Sequence, residues 1–293
     1  MFLKRSTIAC AAAALTLFTL GGMGMSAQGS PQRIVSLVPS ATEMLFEMGA
    51  GSRVVGVSSY DTFPPEATRL PRVGALLDPD VERILSLRPD LIITYATQTD
   101  LHTQLERAGV RSFIYRHGSL ADIFSTMRQL GSALGLATEA RTTATRLERE
   151  LGLVRARVAG RSRPRVMLVI GRESETLRTI DVSGGRGFLH DLIETAGGRN
   201  VFADVPRESL NISTETILAR APDVILDVRY SDPPSPDQRV RERHSWDVLP
   251  GVPAVRTGHV YVLYGSELVI PGPRVVLTAQ TFARALHPDV MPW

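Results

Sequence analysis

The apolar residues of this chain fall into short strands and amphipathic helices that alternate, and one such unit occurs twice. Residues 82–93 and 215–226 are identical at six of their twelve positions. Each copy predicts a two-turn amphipathic helix, a proline that ends the helix, and a buried strand. We therefore expect two related lobes, with Glu82 and Glu215 in the first turn of equivalent helices.

A second repeat supports this duplication. Residues 50–55 and 196–201 share the pattern A-G-x-R-x-V, and each copy follows an apolar helical stretch. From this pattern to the glutamate there are 32 residues in the first copy (82 − 50) and 19 in the second (215 − 196). This difference predicts an insertion near residues 56–80. Two copies favour paired lobes over a solenoid, which needs more repeats.

The predicted strands are uninterrupted apolar runs separated by helices, which is typical of parallel sheets covered on both faces. Between the repeats, apolar residues recur at spacings of three and four, which predicts one helix of about 22 residues. The predicted fold is α/β: two lobes with parallel sheets flanked by helices, joined by a single long helix, with a ligand cleft between them. The expected segments are a signal peptide at 1–27, an N-terminal lobe at 31–137, a linker helix at 138–160 and a C-terminal lobe at 161–293.

The N-terminal segment has the pattern of a secretory signal peptide. Lys4 and Arg5 are its charged residues, and a nearly unbroken apolar stretch follows at residues 8–20. Cleavage is expected near Ala27, which predicts a periplasmic protein. A single-pass membrane anchor is the alternative, although the apolar run is short for a bilayer span. The one cysteine, Cys10, lies in this segment, so the mature protein is expected to have no disulfide and no thiolate metal site.

Charge and motifs argue against several classes of function. The formal net charge of +3 falls to +1 when the two positive charges of Lys4 and Arg5 are removed, so no nucleic acid partner is expected. No two of the six histidines have metal-ligand spacing. The sequence also has no nucleophile elbow, Walker loop or zinc-binding His-Glu helix. We therefore expect no catalytic residues, no metal site and no intrinsic cofactor.

The glycine-rich residues 184–187 could hold an anion on their backbone N–H groups, because they precede a predicted helix. No predicted strand comes directly before them, so a structural turn at the mouth of the cleft is favoured. A secreted two-domain α/β transferase acting on nucleotide sugars is the alternative from another class. It would need this loop for phosphate and catalytic carboxylates in the cleft.

Polar and aromatic residues follow several predicted strands, at the ends where open α/β sheets bind their ligands. Tyrosines from both lobes would give a broad cleft with aromatic walls, suited to a large flat ligand. Ser40 is also predicted to cap a helix, with Glu43 completing a capping box. The candidate ligand-binding residues, including one glycine of the turn at the cleft mouth, are Ser40, Tyr60, Tyr95, Arg116, His117, Arg172, Gly187 and Tyr230.

Several segments together resemble the periplasmic substrate-binding proteins of ABC importers for cobalamin, haem and ferric siderophores. The similarity extends over about residues 33–286. It rests on the two glutamate units and on residues 33–43, 57–65, 197–202 and 273–280. It implies two lobes bridged by one helix, modest hinge movement, and one glutamate per lobe that meets arginines on a permease subunit. Those glutamates match Glu82 and Glu215. For either one alone, a favourable interaction with the helix dipole is the simpler interpretation.

Within this family, residues 57–65 are most similar to the cobalamin binders, in which the tyrosine matching Tyr60 lines the corrin site. Tyr95 stands where that subgroup has a cleft tryptophan. Residues 266–270 lack the aspartate and arginine of the cobalamin pattern, which leaves Glu267 as a candidate polar contact. The resemblance implies a non-catalytic, monomeric receptor that delivers cobalamin or a related corrinoid to an ABC permease. Haem or a ferric siderophore is the alternative ligand, with Tyr60, Tyr95 or His117 as iron contacts.

Overall fold

The computed structural model describes residues 29–116, 118–231 and 234–289. The predicted signal peptide and one candidate site residue, His117, lie outside these ranges. Within them, no helix combines the length and the apolar character needed to cross a bilayer. The described chain forms two α/β lobes, each built around one β-sheet.

Four parallel strands and four helices form the first lobe. The strands are β1 (Ile34–Ser36), β2 (Val54–Val57), β3 (Leu91–Tyr95) and β4 (Arg111–Tyr115). The helices are α1 (Pro39–Glu47), α2 (Val81–Ser86), α3 (Thr99–Arg107) and α4 (Leu120–Ala133). The order β2-β1-β3-β4, with every neighbouring pair parallel, confirms the parallel sheet predicted for this lobe.

A six-stranded sheet forms the second lobe, which follows the long helix α5 (Ala137–Val158). The strands are β5 (Arg165–Gly171), β6 (Ile180–Ser183), β7 (Arg199–Asn200), β8 (Ser209–Ile212), β9 (Val224–Arg229) and β10 (Val260–Tyr264). The helices are α6 (Phe188–Thr195), α7 (Thr214–Arg220), α8 (Pro236–His244), α9 (Pro253–Arg256) and α10 (Val275–Leu286).

This second sheet is mixed, which corrects the prediction of parallel strands throughout. Strands β7, β5, β9 and β10 pair in parallel, but β6 is antiparallel to both β5 and β8. The chain reverses between β5 and β6 in a tight turn, in which the Glu173 N–H donates to the Arg178 carbonyl at 3.1 Å. Glu175 and Thr179 adopt positive φ angles in this turn. So short a connection can join only antiparallel strands, because a parallel pair needs a crossover of a dozen or more residues.

The predicted duplication is visible in the topology. The run β2-β1-β3-β4 in the first lobe has its counterpart in the parallel run β7-β5-β9-β10 of the second. The two glutamate helices, α2 and α7, precede the equivalent strands β3 and β9. Residues 58–80 connect β2 to α2, whereas residues 201–213 connect β7 to α7. The extra chain of the first lobe therefore lies in the segment where the sequence predicted an insertion.

Helix α5 has the predicted length of 22 residues and packs against both lobes. It contacts α4 of the first lobe and α6 and α10 of the second. Its buried side chains share one apolar core with both lobes. They are Ala140, Thr143, Ala144, Leu147, Leu151, Val154 and Val158. Because one face of a single helix is buried against both lobes, α5 connects them as one continuous element.

Candidate functional site

A cleft lies where the carboxyl ends of strands from both sheets meet. Its cavity has a volume of about 240 Å³. Tyr95 and Tyr115, the last residues of β3 and β4, line one side. Residues that line the other side include Gly187, Phe188, Val269 and Pro271. The structure thus brings two of the candidate residues, Tyr95 and Gly187, together at one cavity.

The first-lobe wall of the cleft is a pair of tyrosines. The rings of Tyr95 and Tyr115 pack edge to face, with centroids 5.9 Å apart and planes at 85°. Tyr115 is buried, and its hydroxyl donates to the Pro271 carbonyl of the second lobe at 3.1 Å. Burial raises the pKa of Tyr95 to about 12, so this phenol stays neutral at physiological pH. Tyr115 was not among the predicted site residues, because a tyrosine at the end of a strand is equally compatible with packing in the core.

Ser40 is buried next to this wall and does not cap α1. The N-cap of α1 is Val38, with Pro39 at the start of the helix, and no side chain caps it. Ser40 is only 3% exposed and its side chain interacts with the Tyr115 phenol. The predicted capping box of Ser40 and Glu43 is therefore wrong, because the helix starts at Pro39 and its N-cap lies two residues before Ser40.

Two further candidate tyrosines meet across the lobes. Tyr60 follows β2 and is 62% exposed, while Tyr230 follows β9 and is 45% exposed. The Tyr230 hydroxyl donates to the Tyr60 carbonyl at 3.3 Å. Burial raises the pKa of Tyr230, so it remains a neutral donor. Arg116 is exposed after β4, and its carbonyl accepts from Thr126 Oγ1 at 2.9 Å.

A bidentate ion pair joins the lobes beside these tyrosines. Arg274, next to α10, donates to both carboxylate oxygens of Glu43 in α1, at 3.0 Å from Nε and 2.5 Å from Nη2. The Glu43 side chain is 2% exposed, and burial raises its pKa although Arg274 opposes this. The Arg274 guanidinium also lies 4.3 Å from the centre of the Phe63 ring. Glu267, a candidate ligand contact, accepts from Arg274 Nη1 at 3.2 Å, so one of its carboxylate oxygens is already used in an ion pair.

The same part of the first lobe contains a buried acid. Asp61, one residue after Tyr60, is 1% exposed. Burial raises its pKa to about 7, against the opposing effects of Thr42, Ser58 and Arg72. This group therefore changes its charge near physiological pH, next to the surface where the lobes meet. The sequence did not single it out, because its burial depends on the tertiary structure.

Arg172 is not available to a ligand, which corrects its assignment to the cleft. Its side chain is 0% exposed. Nε donates to Asp227 at 2.8 Å, Nη1 to the Thr176 carbonyl at 2.7 Å, and Nη2 to Glu242 at 2.8 Å. Arg229 contacts the same two carboxylates. The position after β5 does lie at a carboxyl strand end, but the side chain turns inward because two buried acids require a cation.

The glycine-rich turn is closed by backbone contacts and cannot cradle an anion. The N–H groups of Gly184, Gly185 and Arg186 donate to carbonyls of residues 205–208, at 2.8 to 3.1 Å. A Cβ added to Gly184 would lie 2.2 Å from the Arg207 carbonyl oxygen. Strand β6 ends directly before this turn, contrary to our expectation. The N–H donors of the turn nevertheless already bond to backbone carbonyls, so the turn gives no support to phosphate binding.

Gly187, the last residue of this turn, opens α6 at the cleft with φ +86°. The next residue also joins the lobes, since the Phe188 N–H donates to the Gly118 carbonyl at 2.7 Å. Within the described ranges, no three His, Cys, Asp or Glu residues gather in a way that could hold a metal ion.

Glu82 and Glu215 are both exposed and lie in the first turns of α2 and α7. Asp80 caps α2 by accepting from the Arg83 N–H at 2.9 Å. A hydrogen bond from Ser213 lowers the pKa of Glu215. Each helix crosses back to a parallel strand, so its N-terminal turn lies at the carboxyl edge of its sheet. The two carboxylates therefore occupy equivalent positions in the two lobes.

Two duplicated α/β lobes around an aromatic cleft define a protein that binds its ligand between domains. The sequence profile of the family described as periplasmic binding protein matches residues 34–266, so the chain belongs to this family. The vitamin B12-binding protein of Salmonella typhimurium is 28% identical over 256 residues, which cover 87% of this chain and 90% of that protein.

Two further relatives differ in the ligand that their names give. The cobalamin-binding protein of Halobacterium salinarum is 30% identical over 273 residues, covering 88% of this chain and 70% of that protein. The solved structure of a periplasmic heme binding protein from Pseudomonas aeruginosa has a TM-score of 0.76 and 27% identity, covering 90% of this chain and 95% of that one. The predicted family is therefore confirmed, together with its bilobal fold.

Proposed function

We propose that this protein is the periplasmic ligand-binding component of an ABC importer and that it captures a corrinoid such as cobalamin. The observation that carries this proposal is the cleft between duplicated lobes, which is walled by tyrosines, in a fold with one exposed glutamate in the first turn of an equivalent helix of each lobe. Similarity to the vitamin B12- and cobalamin-binding relatives supports the choice of ligand. Secretion through residues 1–27 is part of the same proposal.

The size of the cavity sets a condition on ligand binding. A volume of about 240 Å³ lies below the ~300–1,000 Å³ that is usual for drug-sized ligands. A corrin ring is larger than such ligands, so the lobes must separate to admit it. The contacts across the cleft that have to break include the Glu43–Arg274 ion pair and the hydrogen bonds from Tyr230 to Tyr60 and from Tyr115 to Pro271.

Delivery to the permease is assigned to Glu82 and Glu215. An isolated surface ion pair contributes only ~0–1 kcal/mol, but closely apposed charges across an interface can couple by several kcal/mol. Two carboxylates held on separate lobes would meet arginines on two permease subunits and thereby set the orientation of docking. A monomer fits this role, since one copy presents both acids.

Haem or a ferric siderophore is the second candidate ligand. The exposed phenol of Tyr60 and the similarity to a heme-binding structure favour it. The ligand is tested by titrating the mature protein with cyanocobalamin, haemin and ferric enterobactin, while its absorption spectrum is recorded. We expect saturable one-to-one binding of cyanocobalamin and weaker binding of the other two. Tighter binding of haemin would select the second candidate, and binding of none would reject the receptor function.

The docking role is tested separately from the ligand. The double variant Glu82→Ala/Glu215→Ala should keep the ligand affinity and lose stimulation of the permease ATPase in liposomes. Glu139→Ala is the matched control, because Glu139 is an exposed glutamate in the first turn of α5. Loss of ligand affinity with intact ATPase stimulation would reverse the assigned roles.

A further inference from the structure

Leu77 is the most exposed large apolar side chain of the described residues, at 93% exposure. It lies in residues 74–80, which end the extra segment of the first lobe and lead directly into α2 with Glu82. Burying a leucine side chain is favourable in water, so a leucine held outside the core forgoes that gain. A single exposed leucine is common on protein surfaces, but Leu76, directly before Leu77, is also 39% exposed, so this loop presents two adjacent apolar side chains to solvent.

The loop that carries Leu77 is fixed in place by hydrogen bonds. The Ser59 N–H donates to the Gly74 carbonyl at 2.8 Å, and the Asp80 N–H donates to the Val73 carbonyl at 3.0 Å. Gly74 has φ +83°, and a Cβ there would lie 2.2 Å from the Asp78 carbonyl oxygen. The turn is therefore compact, and the exposure of Leu77 follows from a defined backbone.

One buried side chain links this loop to the ligand cleft. Gln98 is 6% exposed. Its Nε2 donates to the Leu76 carbonyl at 3.1 Å, and its Oε1 accepts from the Tyr95 N–H at 3.0 Å. The residue before Leu77 is thus held by a side chain that also binds the backbone of a cleft tyrosine.

The surroundings of Leu77 define the chemistry of its partner. Asp78, Asp80 and Glu82 are exposed and follow Leu77 within five residues. The partner surface that would be complementary to Leu77 and these acids is therefore an apolar pocket bordered by basic side chains. The second lobe has a similar pair, because Leu218 is 47% exposed and lies one turn after Glu215 in α7.

We propose that Leu77 is an apolar docking contact that inserts into the periplasmic face of the permease beside the arginine that meets Glu82. This inference rests on the proposed docking through Glu82 and Glu215. The charged contact would set the orientation of the complex, while burial of Leu77 would slow its dissociation. Loss of one buried leucine should weaken docking about 10- to 100-fold.

The test compares Leu77→Ser with Leu153→Ser, because Leu153 is another exposed leucine, at 61%, on the outer face of α5. Binding of each variant to the cognate permease–ATPase complex in nanodiscs is measured by surface plasmon resonance. Each protein is loaded with whichever of cyanocobalamin and haemin the wild type binds. We expect Leu77→Ser to keep ligand affinity and thermal stability and to dissociate about 10- to 100-fold faster. Leu153→Ser should match the wild type in all three measurements.

The outcomes separate this inference from the function on which it rests. Leu77→Ser docking like the wild type, while Glu82→Ala/Glu215→Ala fails to dock, overturns only the role of Leu77. A wild-type protein that binds neither ligand, or does not dock at all, removes the proposed function and this contact together. A wild-type dimer that becomes monomeric in Leu77→Ser, measured by light scattering, would assign the leucine to self-association and overturn the inference.

Discussion

Replacing Arg172 with alanine should destabilise the protein strongly without a direct effect on ligand affinity. Asp227 accepts from Arg172 Nε at 2.8 Å and from Trp246 Nε1 at 3.0 Å, and its side chain is 0% exposed. Glu242 accepts from Arg172 Nη2 at 2.8 Å and is 5% exposed. In Arg172→Ala, two buried carboxylates would share Arg229 as their remaining cation, with Arg229 Nη2 2.7 Å from Glu242.

Removing one partner of a buried ion pair costs ~3–5 kcal/mol. For a protein of this size, that lowers the melting temperature by roughly 6–20 °C. Arg128→Ala is the control, because Arg128 pairs with Glu148 at 2.7 Å on the surface and its loss should cost only ~0–1 kcal/mol. The measurements are thermal unfolding by circular dichroism and ligand titration at a temperature where the variant is folded. Should Arg172→Ala not fold, Arg172→Lys keeps the charge with fewer donors and should be intermediate in stability. An Arg172 variant that kept wild-type stability but lost ligand affinity would refute this reasoning. Arg172 would then be assigned as a ligand contact.

Four further predictions concern two glycines and two buried titratable groups. Gly152→Ala in α5 should stabilise the protein by ~0.5–1 kcal/mol, because a Cβ there meets no atom within 4 Å. Gly184→Ala should lower the urea midpoint instead, because its Cβ would clash with the Arg207 carbonyl. Asp61 has its pKa raised from 3.8 to about 7, so stability should decline as pH rises from about 4 to 7, and Asp61→Asn should remove that part of the decline. The pKa of His287 is lowered from 6.5, chiefly by burial, so stability should fall as pH drops below 6.5. His287→Gln should reduce that loss. Both titration predictions are measured as urea midpoints across pH. A variant whose midpoints followed the wild-type curve would contradict its prediction.

Local signals in the sequence were sufficient for much of the fold. The glutamate helices, the strands after them and the 22-residue helix α5 follow from apolar periodicity and from prolines that end helices. These signals depend on neighbouring residues, so they do not require knowledge of the rest of the chain. The same holds for the exposure of Glu82 and Glu215, since a charged residue in a first helical turn is normally solvated.

The side chains around the cleft could be predicted only in part. Strand-end positions led to Tyr60, Tyr95 and Tyr230, and the structure places all three near the surface where the lobes meet. The same rule misplaced Arg172, because position at a strand end does not decide which way a side chain turns. For Glu43, the available signal was an acid within an otherwise apolar helical run.

The sequence by itself determined the duplicated α/β halves, the connecting helix and the equivalent places of the two glutamates, because each depends on short-range pattern and chain order. Only the tertiary structure decided that Glu43 pairs with Arg274, 231 residues away, that Tyr230 reaches Tyr60, and that Arg172 neutralises two buried acids. These contacts join distant segments, and their partners are selected by burial, which removes water as the competing hydrogen-bond partner and makes an unpaired charge costly.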